Sequence, residues 1–337
     1  MRFKANYIGL ILLFVSFSLF AQSEERLEIV ATDSTDMRQS RTSEGILLEL
    51  VKNVHLRQGK AEMFCDHVRW LKEKGEVIIE QNVRIFDENK ELYADYVYYY
   101  IDSRVYKAYG NVVLKDSVRQ VDADEIQYFK LKDLIIADGN VFMQDRENFI
   151  EITSKHAELD NEKDYALITG DPIFIKKDST NQEELRITGL KMELFEGGDK
   201  AVVTDSVKIT HSEATARCDI AEFYRKTNEA VLKGTPVVRQ KYDRLSGGII
   251  HLFINKENNE LRKAIVKDHA IVTSRVDTTR ADQRINKLLG QQITMFFERR
   301  RLQKVVVENK ATSYYYCLLY TSPSPRHLST SRMPSSA

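Results

Sequence analysis

Apolar residues return at every second position along most of this chain. The stretch 106–128, YKAYGNVVLKDSVRQVDADEIQY, shows the unit. Tyr106, Ala108, Val112 and Leu114 alternate around Gly110, and beyond a polar corner Ile126 and Tyr128 resume the alternation. A period of two marks a strand with one buried face.

The unit repeats. With the valine of Gly-Asn-Val as phase marker, the series reads Val54, Val83, Val112, Val141, Ile173, Val207, Val237, Ala270 and Ala311, and the first three spacings are all 29 residues. Two residues on lies a second apolar position, among them Leu56, Ile85, Leu114, Met143, Ile175, Ile209 and Val272. Upstream on the same face lie pairs such as Val77 and Ile79, Tyr106 and Ala108, and Val305 and Val307. The following strand adds Val68 and Trp70, Val97 and Tyr99, Ile126 and Tyr128, or Ala221 and Phe223. Apolar faces on every strand must bury against one another. This predicts an all-β fold: an elongated antiparallel roll of about nine two-strand repeats, two sheets facing each other about 10 Å apart and about 40 Å long at 4.8 Å per strand.

Just before the marker stands Gly110, Gly139, Gly170 or Gly234, with Asp205 or Asp268 in the same place elsewhere. Glycine inside a strand marks a bulge or bend, so each long strand is expected to turn a corner there, beside Pro172 and Pro236 in two units. No helix is predicted. Residues 185–195 read as strand through Leu190, Met192 and Leu194, and the polar segment 274–287 reads as an extended loop.

The ends differ from the middle. Residues 1–21, with Arg2, Lys4, an apolar run over 7–20 and Ala21, read as a secretory signal too short for a membrane span. A polar lead, 22–45, follows, with a strand-like piece only at 27–32. The repeats occupy 46–316, open to division into sub-rolls 46–170 and 171–316. The tail, 317–337, holds three of the five prolines. It reads as disordered and resembles translated adapter sequence, so the natural chain is expected to continue differently past Tyr316.

Composition removes some functions. With 50 basic and 50 acidic residues the net charge is zero, and no basic stripe argues for nucleic acid. The seven histidines lack metalloprotease spacing, with His67 and His251 on outward positions. Asp66, Asp95, Asp124 and Asp219 recur at one phase and read as side-chain caps at strand entrances. The run 96–100 reads as half exposed, with Val97 and Tyr99 inward and the other tyrosines packing across strands. Arg299-Arg300-Arg301 reads as a solvated turn. Cys65 and Cys218 fall five units apart, too far for a disulfide, and are expected as buried free thiols. No catalytic residue, metal site or cofactor is predicted, and the chain is not expected to be an enzyme.

The Asn-Val and Gly-Asn-Val cores at Asn53-Val54, Asn82-Val83, Gly110-Asn111-Val112 and Gly139-Asn140-Val141, the first three followed by an Asp-x-apolar-x-aromatic strand, resemble the organic-solvent-tolerance (OstA-like) protein family. The likeness covers 27–316 and is greatest to the larger Bacteroidetes-type forms, through AEMFCDHVRW and LKDSVRQVDADEIQY. Gly170-Asp171-Pro172, Asp205-Ser206-Val207 and Gly234-Thr235-Pro236 depart from the core pattern. The resemblance implies a periplasmic β-jellyroll with a V-like section. It also implies lipopolysaccharide or a related glycolipid as ligand, jellyroll transport proteins at the inner and outer membranes as partners, and head-to-tail association with itself. The groove residues expected to meet acyl chains are Trp70, Tyr99, Tyr106, Val112, Leu114, Ile126, Tyr128, Met143 and Phe223. Two alternatives stay open: a structural β-repeat scaffold or adhesin segment without lipid, and the N-terminal periplasmic part of an outer-membrane translocon.

Overall fold

The computed structural model describes residues 26–30, 34–255, 260–276, 284–299 and 301–316. The signal segment, the tail with Cys317, and residues 277–283 of the loop expected at 274–287 lie outside the described residues; the ends of that expected loop are instead strand, with Ser274 opposite Asn286 and Arg275 opposite Ile285.

Strands Gly45–Gln58, Ala61–Leu71, Glu76–Asp87, Lys90–Tyr100, Val105–Lys115, Arg119–Phe129, Leu134–Asp145 and Ile150–Asp160 pair antiparallel, each with the next. The sheet is folded over. Asp87 lies at one end of this ladder, paired with Lys90, whereas Phe129 lies at the other, where Glu76, Tyr100 and Val105 are successive partners. In a flat sheet those ends would be about 35 Å apart at 3.3 Å per residue. The Lys130 ammonium, one residue past Phe129, nevertheless forms an ion pair with Asp87. The two halves of every strand therefore face each other as the two walls of a roll.

The corner is a bulge. At Val105–Lys115 the register jumps from Tyr109 opposite Glu125 to Val112 opposite Ala123, leaving Gly110 and Asn111 against Asp124. Both bulged residues are left-handed, Gly110 at φ 74° and Asn111 at φ 48°. Such consecutive left-handed pairs recur once per repeat from Lys52-Asn53 to Asn309-Lys310. The recurring aspartates belong to this corner and not to strand entrances, as their sequence phase had suggested. Asp66, Asp95 and Asp124 sit at mid-strand, where their carboxylates accept hydrogen bonds from the side-chain amides of Asn82 at 2.5 Å, Asn111 at 3.1 Å and Asn140 at 2.9 Å.

Two phase markers need correction. Ile173 and Val237 are only half-buried, as is Ile175, while Pro172, Phe174 and Pro236 are buried. The left-handed pairs Gly170-Asp171 and Gly234-Thr235 precede these prolines, so proline takes the place that valine holds elsewhere. It fits because the strand breaks there, into Tyr165–Thr169 and Ile173–Lys177 and again into Glu229–Lys233 and Val237–Gln240, and proline is tolerated at a bulge. Leu190 also differs from expectation. It stands exposed at a corner, while Met192 and Leu194 are buried. Ala311 is exposed and Val305 is 38 % exposed, because among the described residues no further repeat covers them.

The polar lead contains a strand that alternation does not reveal. Asp36–Thr42 pairs with the segment from Gly45 to Val51 and is exposed along its whole length. It buries nothing, so main-chain pairing holds it, with an exposed ion pair between Asp36 and Lys52 at 2.9 Å, and its charges suit an edge.

Inside the roll one contiguous apolar cluster runs from Leu27 to Met295. Cys65 and Cys218 lie within it as free thiols. Burial raises both thiol pKa values to about 12.

Candidate functional site: the inner walls and their seam

All nine expected groove residues face the interior. Tyr99, Tyr106, Val112, Leu114, Ile126 and Met143 are buried, while Trp70, Tyr128 and Phe223 are half-buried and packed on the cluster. The register sorts them into rows. On the first wall, Trp70 opposes Val77, Val77 opposes Tyr99, Tyr99 opposes Tyr106, and Tyr106 opposes Tyr128. This is an aromatic row along the roll, with ring centroids 4.3 Å apart for Tyr99 and Tyr106 and 6.2 Å apart for Tyr106 and Tyr128. Phe223 continues the same wall much further along, opposite Ala201 and Ala230. Ile126, beside Ala108 and Ala137, lies nearer the corner. Leu114 and Met143 belong to the second wall, both opposite Val121. The nine residues thus line two facing walls and do not converge on one point.

The aromatic row ends in polar groups at the free edge of the roll. The Tyr99 hydroxyl donates to Gln58 Oε1 from across the seam. Burial raises the Tyr99, Tyr106 and Tyr128 hydroxyl pKa values, and the nearby Asp87 carboxylate adds to the effect in each. The Trp70 Nε1–H is buried and donates no hydrogen bond, an arrangement that costs about 1–3 kcal/mol.

Sequence reasoning missed the edge itself. Gln58, Asp87, Asp116 and Asp145 each stand four residues beyond the marker, where alternation calls for an inward apolar side chain. That run of polar residues at an inward phase was the available signal. Asp116 and Asp145 serve their own turns: Asp116 Oδ1 accepts from the amides of Val118 and Arg119, both at 2.7 Å, and Asp145 accepts from Asn148. Gln58 and Asp87 instead reach the opposite wall, at Tyr99 and Lys130. Lys90 does so from the other side of the same turn as Asp87. Its Nζ lies 3.3 Å from the Tyr128 hydroxyl, 4.7 Å from the centre of that ring and 3.6 Å from Asp133 Oδ1. These contacts across the seam are between side chains.

The outer surface matches its expected character. Tyr96 and Tyr98 are each 37 % exposed, and Tyr96 stacks on its cross-strand partner Tyr109 at 5.2 Å. His67 and His251 point outward to Glu49 and Glu80, and to Glu229. Among the described residues no group of three or more histidine, cysteine or acidic side chains is placed to hold a metal ion.

A sheet folded into an apolar-lined roll, closed along one side by polar side chains, is a β-jellyroll of the kind built around an extended apolar interior. Residues 24–151 match the OstA-like protein family, and residues 151–258 match the LptA/(LptD N-terminal domain) LPS transport protein family. Together the two matches cover residues 24–258, and that stretch is built of OstA-like and lipopolysaccharide-transport-type domains. The matched families are transport families and not catalytic ones. No curated protein matches the chain. Among solved structures, LptH, the LptA-homologous periplasmic component of the lipopolysaccharide transport device of Pseudomonas aeruginosa, aligns at 17 % identity and a TM-score of 0.30, over 42 % of this chain and 95 % of its own. Among the described residues no helix is long and apolar enough to cross a membrane.

Proposed function

We propose that this protein binds lipopolysaccharide or a related glycolipid with its acyl chains between the two walls and its sugars and phosphates outside. It then passes the lipid through the periplasm toward the outer membrane. The observation that carries this reading is the aromatic row beside a seam closed by side chains. Burying one CH₂ is worth about 0.8 kcal/mol, so an acyl chain of about a dozen methylenes faces a barrier on the order of 10 kcal/mol in open water. A carrier must shield the chain continuously. The walls can part at the seam with each keeping its own main-chain ladder, because the cross-seam contacts are between side chains, and the chain then replaces the opposite wall as apolar cover.

Among the described residues the outermost strands, Asp36–Thr42 and Arg301–Glu308, are each paired on one side, and an open side invites strand addition. The last described edge of the roll exposes Leu302, Tyr314, Tyr315 and Tyr316. Head-to-tail joining with itself or with jellyrolls at either membrane would extend the apolar path, and this belongs to the same proposal.

One observation favours the scaffold reading: the inner walls are packed against each other, with Val112, Ala108 and Leu56 at 0 % exposure. A photo-crosslinking residue at Tyr128 separates the two. Transport predicts a lipid adduct in cells at Tyr128 and none at the outward Tyr98. A folded protein with no adduct at Tyr128 supports the scaffold and overturns the carrier.

A further inference from the structure

Where Lys90 and Lys130 cross the seam, the roll also has its mouth. A cleft of about 200 Å³ opens between the turns at Asn89-Lys90 and Lys115–Arg119, lined by both walls. Leu114 and Val121 on one wall and Ile135 on the other give it an apolar part, and its charged lining is Lys90, Lys115 and Arg119 with Asp116 and Glu147. Beside it the walls are held together by Asp87 with Lys130, Gln58 with Tyr99, and Lys90 with Tyr128 and Asp133. One of these contacts is loose. Asp133 Oδ1 is buried and accepts no hydrogen bond, and Lys90 lies 3.6 Å away, beyond hydrogen-bond reach.

We propose that this stretch of the seam is the entry site for a phosphorylated acyl-chain lipid, with Lys90 and Lys130 exchanging their carboxylate partners for the lipid's phosphate. The exchange is isoelectric in kind, one anion for another, so neither lysine is left without a counter-charge as the seam opens. A phosphate offers both lysines several acceptor oxygens on one group, and charge-assisted hydrogen bonds to such groups are the stronger ones. Freed of Lys130 and Lys90, the two walls are joined there through Gln58 and Tyr99. The chain then passes over Leu114, Val121 and Ile135 to reach Tyr128 and Tyr106, the next residues of the aromatic row. Lys90 already lies over the Tyr128 ring, so a phosphate held by Lys90 places its acyl chain at the end of that row. The inference rests on the lipid-binding reading and adds to it a place of entry and a preference for an anionic headgroup.

The test uses the full chain with Cys317→Ser and the paired changes Asp87→Cys and Lys130→Cys, before and after cross-linking by a short bismaleimide. The probes are bisphosphorylated lipid A and its dephosphorylated counterpart, both with brominated acyl chains, and loading is read as quenching of Trp70. Cross-linking is expected to slow loading of bisphosphorylated lipid A at least tenfold. A cross-linked protein that loads as fast as the uncross-linked one overturns the entry site. In a second variant, Lys90→Gln with Lys130→Gln, the preference for the bisphosphorylated over the dephosphorylated probe should fall about tenfold, and an unchanged preference removes the phosphate exchange. Inorganic phosphate at millimolar concentration should slow loading of the bisphosphorylated probe in the wild type and not in the lysine variant. If the wild type binds neither lipid, the lipid-binding reading itself fails, a result distinct from any difference between variants.

Discussion

Replacing Gly110 by alanine tests whether the bulged corner is what folds the sheet. Gly110 is left-handed at φ 74°, and an L-residue there costs roughly 1–2 kcal/mol. A Cβ at Gly110 would also sit against the Asp95 carboxylate, closer than any van der Waals contact allows. Asp95 must then swing away, which removes the hydrogen bond from Asn111, a contribution of about 0.5–1 kcal/mol. The sum is about 2 kcal/mol, or roughly a 30-fold loss in the folding equilibrium. In an Asp95→Ala background, which already lacks that hydrogen bond and the carboxylate, Gly110→Ala should cost only the backbone term, about 1–2 kcal/mol. Gly110→Asn should be milder than Gly110→Ala, because asparagine tolerates the left-handed region and Asp205 already occupies it in another repeat. Urea unfolding followed by circular dichroism measures these variants, compared by midpoint with slopes held equal. A Gly110→Ala protein within 0.5 kcal/mol of wild type would refute the corner argument, and a Gly110→Ala cost no smaller in the Asp95→Ala background than in wild type would refute the clash.

Met143→Ala removes a side chain that is 1 % exposed on the second wall and should cost about 2–5 kcal/mol; a smaller loss in urea would mean the walls are not packed there. Cys65 and Cys218, with thiol pKa values pushed up to about 12 by burial, should resist iodoacetamide at pH 8 in the folded chain and react once it is unfolded, as read by mass spectrometry. His156 should titrate above its ordinary 6.5: burial works against the charged form, but hydrogen bonds to Asp138 and Glu158 more than offset it. Its contribution to stability is then full below the ordinary value and is lost as pH rises through the raised one, so His156→Gln should flatten the stability profile above pH 6.5, and an NMR titration at or below the ordinary value would contradict this.

Much of this architecture is legible in the sequence because one physical rule, a buried face at period two, is repeated many times. Trp70, Tyr99, Tyr106 and Tyr128 could be assigned inward from alternation alone, and Gly110 could be assigned to a corner. That they form one row needs the register, which depends on how many residues each bulge absorbs. The phase slipped by one at Pro172 and Pro236 because proline was read as lying beside the bend, whereas it occupies the inward place itself. Asp36–Thr42 escaped notice because an edge strand that buries nothing leaves no apolar signature. The seam was hidden for a different reason. Asp87 and Lys130 are 43 residues apart, and only the folding of the sheet brings opposite ends of the ladder together. Asp66, Asp95 and Asp124 show the same limit on a smaller scale: their recurrence was visible, but their asparagine partners lie on the next strand.

The central claim is that acyl chains lie between the two walls. Trp70 is the chain's single tryptophan and stands on the inner face of the first wall, opposite Val77. Its fluorescence therefore reports on the interior without any added label. Lipopolysaccharide with brominated acyl chains should quench Trp70 saturably at the same concentrations at which calorimetry shows binding, and unbrominated lipopolysaccharide should compete the quenching away. Binding that saturates in the calorimeter while brominated and unbrominated lipid leave Trp70 equally bright would place the chains outside the roll and contradict the claim.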